Sequence, residues 1–153
     1  MNVIKPPHSI EVTHPSIFLA GSIEQNKAQR WQDYIAEQLI DLPLTLLNPR
    51  RDSWDASWSQ EIEFGPFKEQ VEWELEGLEM ANLIILYFDP ATQSPISLLE
   101  LGLHARSGKI VVCCPTGFWR KGNVDIVCRQ YGIPQVEVLE DLIPYIKSKL
   151  LQQ

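Results

Sequence analysis

The feature that most limits what this chain can fold into is a regular alternation of short, wholly apolar runs with longer segments of helical period. The runs are SIFLAG (16–21), LTLLN (44–48), NLIILYF (82–88), KIVVCCP (109–115) and QVEVL (135–139). A strand exposed on one face alternates apolar with polar residues, so a run apolar throughout reads as a strand covered on both faces. Between the runs, 27–41 sets Trp31, Tyr34, Ile35 and Leu39 on one helical face, and 67–81 does the same with Phe67, Val71, Leu75 and Leu78. Ser94 followed by Pro95 reads as the N-cap and first residue of a third helix ending near Ser107-Gly108, and 140–151 predicts a last helix.

Strands that alternate with helices in this way build a parallel sheet between two helical layers. The expected architecture is α/β: a flavodoxin-like three-layer sandwich around a five-stranded parallel sheet of order 2-1-3-4-5, with helices on both faces. At 153 residues the chain is long enough for one domain. That domain is expected over 16–153, behind a Pro-rich N-terminal leader, 1–15.

Charge narrows the partners. Thirteen Lys and Arg against twenty Asp and Glu leave a formal charge of −7. No basic stripe is present to release counterions from a nucleic-acid backbone, so polymeric nucleic acid is not expected; a nucleoside or nucleotide remains open. No run reaches the ~18 apolar residues of a membrane span, and the N-terminus has no targeting pattern. Cys113, Cys114 and Cys128 lack CxxC spacing and read as reduced core thiols of a cytoplasmic protein. His8, His14 and His104 share no ligand spacing, so neither a metal site nor a cofactor is expected.

In an open parallel sheet, ligands bind outside the carboxyl ends of the strands, where the strand order reverses. The polar residues there are Gly21 and Ser22, then Asn48, Arg50 and Arg51, then Asp89 and Ser94, then Thr116. Glu100 lies one turn into the helix that follows the third strand, in SPISLLELG, with Ile96, Leu98, Leu99, Leu101 and Leu103 around it. An ionised carboxylate is costly to bury unless paired or hydrogen-bonded. Either Glu100 reaches solvent or Arg106, or the positive helix start keeps it ionised as a nucleophile.

Among the acids of EQVEWELEGLE, Glu74 flanks the apolar stripe of its helix and can point toward the same edge, while its neighbours form a solvated face. Arg50 and Arg51 suit a carboxylate or phosphate, or they offset Asp52 and Asp55. Trp54, Trp58 and Phe64 can stack on a base or on one another. Gly21-Ser22 is not a GxGxxG fingerprint, which argues against a dinucleotide.

Taken together, FLAGSIEQ after the first strand, Glu74 in EWELEGLEMAN before the third, and SPISLLELG after it resemble the nucleoside 2-deoxyribosyltransferase superfamily, which includes the 2'-deoxynucleoside 5'-monophosphate N-glycosidases. The resemblance covers about 16–130. It implies a homo-oligomer whose sites are completed by neighbouring subunits. It also implies that Glu100 is the nucleophile at C1' of the sugar and that Glu74, one methylene longer than the aspartate usual there, moves the proton. Phe18 stands where some relatives have a tyrosine. Ser94 falls where the transferases tend to have an aspartate for the 5'-hydroxyl and the nucleotide N-glycosidases a serine for the 5'-phosphate. Asn123 and Asp125 are expected to reach the sugar from a neighbouring subunit, and Ser97 to line the site.

Cleaving an N-glycosidic bond builds an oxocarbenium-like state that one carboxylate captures while a second acid protonates the base. The expected function is therefore base exchange on 2'-deoxynucleosides through a deoxyribosyl-Glu100 intermediate, with a nucleoside and a free nucleobase as partners in salvage. The alternatives are hydrolysis of a nucleoside or its 5'-monophosphate, and a nucleotide-sensing module without turnover. The charge of Asp125 favours the nucleoside over the nucleotide.

Overall fold

A computed structural model of the protein describes residues 1–24 and 28–151. Its centre is one all-parallel sheet of six strands: β1 (Asn2–Ile4), β2 (Ser16–Gly21), β3 (Thr45–Leu47), β4 (Leu83–Tyr87), β5 (Ile110–Cys113) and β6 (Gln135–Val136). The order is β1-β3-β2-β4-β5-β6. The five expected strands stand in the expected order, and the correction is a sixth. Residues 2–4 of the leader pair with β3 in register Asn2↔Thr45, Val3↔Leu46, Ile4↔Leu47. The short run NVI lies ahead of Pro6 and Pro7, which have no N–H to donate, so it suits an edge position.

The helices are α1 (Trp31–Gln38), α2 (Gly65–Met80), α3 (Pro95–His104), α4 (Lys121–Tyr131) and α5 (Leu142–Leu150), with a 3-10 turn at Leu139–Asp141 before the last. Lys27, where the periodicity starts the first helix, lies outside the described residues. The periodicity did not call α4. Only Val124 and Cys128 of that helix are buried, an i,i+4 pair too sparse to register as a stripe.

Strand residues alternate between two cores. Phe18, Ala20, Ile84, Leu86 and Val112 join Trp73 and Leu78 of α2, Leu101 of α3 and Val124 of α4. On the opposite face, Leu19, Ile85, Tyr87 and Val111 join Trp31 and Ile35 of α1 and Ile146 of α5. The period-2 geometry of each strand thus serves both helical layers, which explains why the runs are apolar throughout.

Two helices turn differently from the expected faces. In α2 the buried residues are Gln70, Trp73, Gly77 and Leu78, while Leu75 stays 45% exposed. In α3 Ile96, Leu99 and Leu103 are each more than half exposed, while Ser97, Glu100, Leu101 and His104 are buried. In both helices polar side chains share the inner face with Trp73, Leu78 and Leu101, and other aliphatic residues are left outside.

Two glycines let the backbone approach closely. Gly21 ends β2 at φ +131°, where a Cβ would stand 2.7 Å from the Tyr87 amide nitrogen. Gly77 brings α2 down onto β2, and a Cβ there would lie 2.7 and 2.8 Å from Phe18 ring carbons. Gly102 in α3 faces open space. Gly77→Ala is therefore expected to lower the urea unfolding midpoint, overpacking at ~1–3 kcal/mol outweighing a helix-propensity gain of ~1 kcal/mol. Gly102→Ala, with nothing to strike, is expected to raise the midpoint.

Candidate active site

The carboxyl ends of β2, β3 and β4 bring together the side chains that the sequence had placed after separate strands. After β2, Ser22 is buried, and its Oγ accepts the Asp89 N–H at 2.8 Å and lies 3.3 Å from the Tyr87 carbonyl oxygen. After β4, the Thr92 hydroxyl lies 2.8 Å from Ser22 Oγ and 2.7 Å from Ser94 Oγ, and the two serine hydroxyls bond each other directly. Three buried hydroxyls thus converge at the start of α3. Ser94 does occupy the N-cap position before Pro95, but its side chain caps nothing. It adopts the left-handed conformation, φ 50° and ψ 54°, and turns its hydroxyl toward Ser22 and Thr92. A non-glycine residue held there is characteristic of sites where the surroundings impose the geometry.

Glu24, in the connection after β2, holds the two residues just ahead of the helix. Its Oε1 accepts the N–H groups of Gln93, at 2.7 Å, and of Ser94. Sequence reading missed Glu24 and Thr92. Neither has a local signature, because each acquires its partner only when residues about 70 positions apart along the chain meet.

Glu100 is only 8% exposed, and among the described residues no side chain donates a hydrogen bond to it. Burial pushes its pKa up to about 8, with the nearby charge of Glu74 adding to the rise. The expectation that the helix start holds Glu100 ionised is corrected: desolvation dominates over the macrodipole, which is worth only ~0.3–1 kcal/mol at such a position. Burial also raises Glu74, to about 7, while a hydrogen bond from Gln70 lowers it. That amide is placed by its neighbours: Gln70 Nε2 donates to Glu74 Oε1 at 2.8 Å and to the Pro49 carbonyl at 2.9 Å. Its i,i+4 spacing to Glu74 is the one signal that could have pointed to it, and the sequence reading missed it.

The residues after β3 have turned inward. Asn48 is buried and its Oδ1 accepts the Arg50 N–H at 3.0 Å. Arg50 is itself buried and donates from Nη1 to Gln32 Oε1 at 3.1 Å. Arg51 pairs with Glu69 at 3.0 Å and lies over the Trp58 ring. Asp52 pairs with Lys5 at 2.8 Å. Trp54 and Phe64 both stack on Trp58, at centroid distances of 5.0 and 6.0 Å.

Within one chain, the fold brings Ser22, Ser94, Ser97, Glu74 and Glu100 to one edge. Asn123 and Asp125 lie elsewhere. Asn123 lines a groove of about 330 Å³ between α3 and α4, with Leu98, Leu101 and Gly102. Asp125 accepts from Lys121 Nζ at 3.2 Å and Gln135 Nε2 at 2.9 Å, and these partners hold its carboxyl below the usual range despite burial. The charge argument attached to Asp125 therefore loses its footing within this chain, since a cation already faces that carboxylate.

The fold is a parallel α/β domain that holds two carboxylates, Glu74 and Glu100, away from water. The chain is a member of the nucleoside 2-deoxyribosyltransferase-like family, whose profile matches residues 14–118. Among curated proteins, none matches the chain. Among solved structures it is similar to a conserved protein from Enterococcus faecalis V583, with a TM-score of 0.64 and 18% identity, over 90% of this chain and 99% of that one. At that identity the likeness supports the fold alone. No helix among the described residues is long and apolar enough to cross a membrane.

The raised pKa of Glu100 has a consequence for stability. Its folded pKa of about 8 exceeds the ordinary glutamate value, so between the two the native state holds the extra proton and stability falls as pH rises. Glu100→Gln removes that dependence. Its melting temperature is expected to match the parent near pH 4.5 and to exceed it clearly at pH 9, since a rise from 4.5 to about 8 corresponds to several kcal/mol at ~2–4 °C each. Thermal unfolding across that range measures the difference.

Proposed function

We propose that the protein cleaves the N-glycosidic bond of a 2'-deoxynucleoside and passes the sugar to a second nucleobase through a covalent deoxyribosyl-Glu100 ester. The observation that carries this reading is the orientation of α3: a carboxylate without a hydrogen-bond donor faces inward beside Glu74, while Ile96, Leu99 and Leu103 face outward. Stability alone would favour the reverse.

In the reaction, Glu100 attacks C1', the bond from C1' to the base nitrogen breaks, and Glu74 gives its proton to the departing base. The acceptor base then attacks C1', the ester bond breaks, and Glu74 takes back a proton. Two displacements give net retention, as in retaining glycosidases. The carboxylates titrate as a pair, so near neutral pH the singly protonated form is well populated. Positive charge developing at C1' favours the arrangement with the negative charge on Glu100 and the proton on Glu74.

The hydroxyl cluster of Ser22, Thr92 and Ser94 lies at the start of the same helix, where the far side of the sugar would sit. It favours one second reading, hydrolysis of a 5'-monophosphate, because hydroxyls there can also donate to phosphate oxygens. The exposed apolar face of α3, together with Ile126 of α4, fits the expected homo-oligomer. The partners in this reading are a nucleoside and a free nucleobase.

Incubation with deoxyinosine and free adenine is expected to yield deoxyadenosine; base release without transfer would select hydrolysis, and binding without either would select the sensing module. A slow 2'-fluorinated nucleoside should leave a sugar adduct on Glu100, read by intact-protein mass. Glu100→Gln should abolish the adduct and lower turnover by on the order of 10³-fold or more. The pH profile is expected to be bell-shaped with its maximum between about 7 and about 8. Below that window the nucleophile is protonated, and above it the acid is lost.

A further inference from the structure

We propose that Glu24 sets the choice at the 5' end of the sugar, accepting a hydroxyl and excluding a phosphate. This rests on the reading that a deoxynucleoside reacts at Glu100. Ser94 begins α3 six residues before Glu100, which places the helix start about 9 Å from the nucleophile along the axis. Ser97, buried on the same inner face, lies between them. A sugar with C1' at Glu100 therefore extends its other end toward Ser94 and the hydroxyls of Ser22 and Thr92.

At that end the free N–H groups of a helix start would ordinarily attract an anion. Here the chain supplies its own anion. Glu24 Oε1 takes the N–H groups of Gln93 and Ser94. The carbonyl of the same Gln93 accepts the Trp119 indole N–H at 2.9 Å, which fixes the segment from the other side. Glu24 and Ser94 are the non-glycine residues at positive φ among those described, 38° and 50°, and they bond directly to each other. The two backbones are thus shaped around this contact.

The chemistry discriminates in both directions. A sugar hydroxyl can donate to the second oxygen of the Glu24 carboxylate while it accepts from one of the serine hydroxyls. A phosphate monoester is largely dianionic at neutral pH, finds the two N–H groups occupied, and meets a like charge. Asp125 does not supply this repulsion, because Lys121 and Gln135 already hold its carboxylate.

The test compares kcat/KM for deoxyinosine and deoxyinosine 5'-monophosphate in the parent, Glu24→Gln, Glu24→Ala and Glu24→Asp. The ratio of monophosphate to nucleoside is expected to rise at least about tenfold in the Gln and Ala variants, the scale of one like-charge contact relieved, and to stay near the parent value in Asp. A purely structural role would lower both rates together and leave the ratio unchanged, which overturns the proposal. The Gln variant keeps an acceptor for the two N–H groups, so it reports even if Ala fails to fold. A second arm needs no turnover: inorganic phosphate should raise the melting temperature of the Gln variant and leave the parent unmoved. Equal stabilisation of both overturns the role of Glu24, whereas absence of turnover on either substrate would count against the reaction and not against this contact.

Discussion

The site depends on two carboxylates, Glu74 and Glu100, held near each other where water is largely excluded. Glu100 and Glu74 come from different helices; burial raises both, and the nearby charge of Glu74 adds to the rise at Glu100. To place Glu100 inward, α3 must turn three of its large aliphatic residues toward solvent. A helix free to choose would bury that face, at roughly 1.5–3 kcal/mol for each side chain removed from water. The chain forgoes this gain within a single copy, and the neighbouring helix adds to the cost by setting Gln70 and Glu74 where its own aliphatic residues would pack.

What holds this arrangement is the scaffold around it. The parallel sheet fixes the starts of α1 and α3 side by side, and Gly21 allows β2 to run against Tyr87 without a side chain between them. Gly77 lets α2 descend onto Phe18. Gln70 ties that carboxylate to the Pro49 carbonyl and so couples its position to the end of β3. Arg50 and Asn48, inside the same turn, serve the walls of the site from within the fold.

Charge is distributed along the edge with the same economy. The acid pair lies deep, where desolvation governs protonation, while Glu24 lies at the helix start, where peptide N–H groups stabilise it. Asp125 belongs to neither place, being held by Lys121 and Gln135 at the other side of α4. One family of residue types therefore does three different jobs, and only the environment separates them.

Much of this was legible in the sequence. The five central strands and their order follow from continuous apolar runs, since a strand covered twice has no polar face to show, and the carboxyl-edge rule pointed to Ser22, Ser94 and Glu100. Residues 2–4 escaped notice because three residues on a sheet edge carry too little pattern, and α4 because it buries little. The tertiary structure alone decided which face of α2 and α3 turned inward. Periodicity reports where apolar residues recur on a helix, and it assumes that they are the ones buried; here a buried acid pair reversed that assumption. The contact between Glu24 and Ser94 lay equally beyond the sequence, because a hydrogen bond between residues 70 positions apart exists only once the sheet has brought their two loops together.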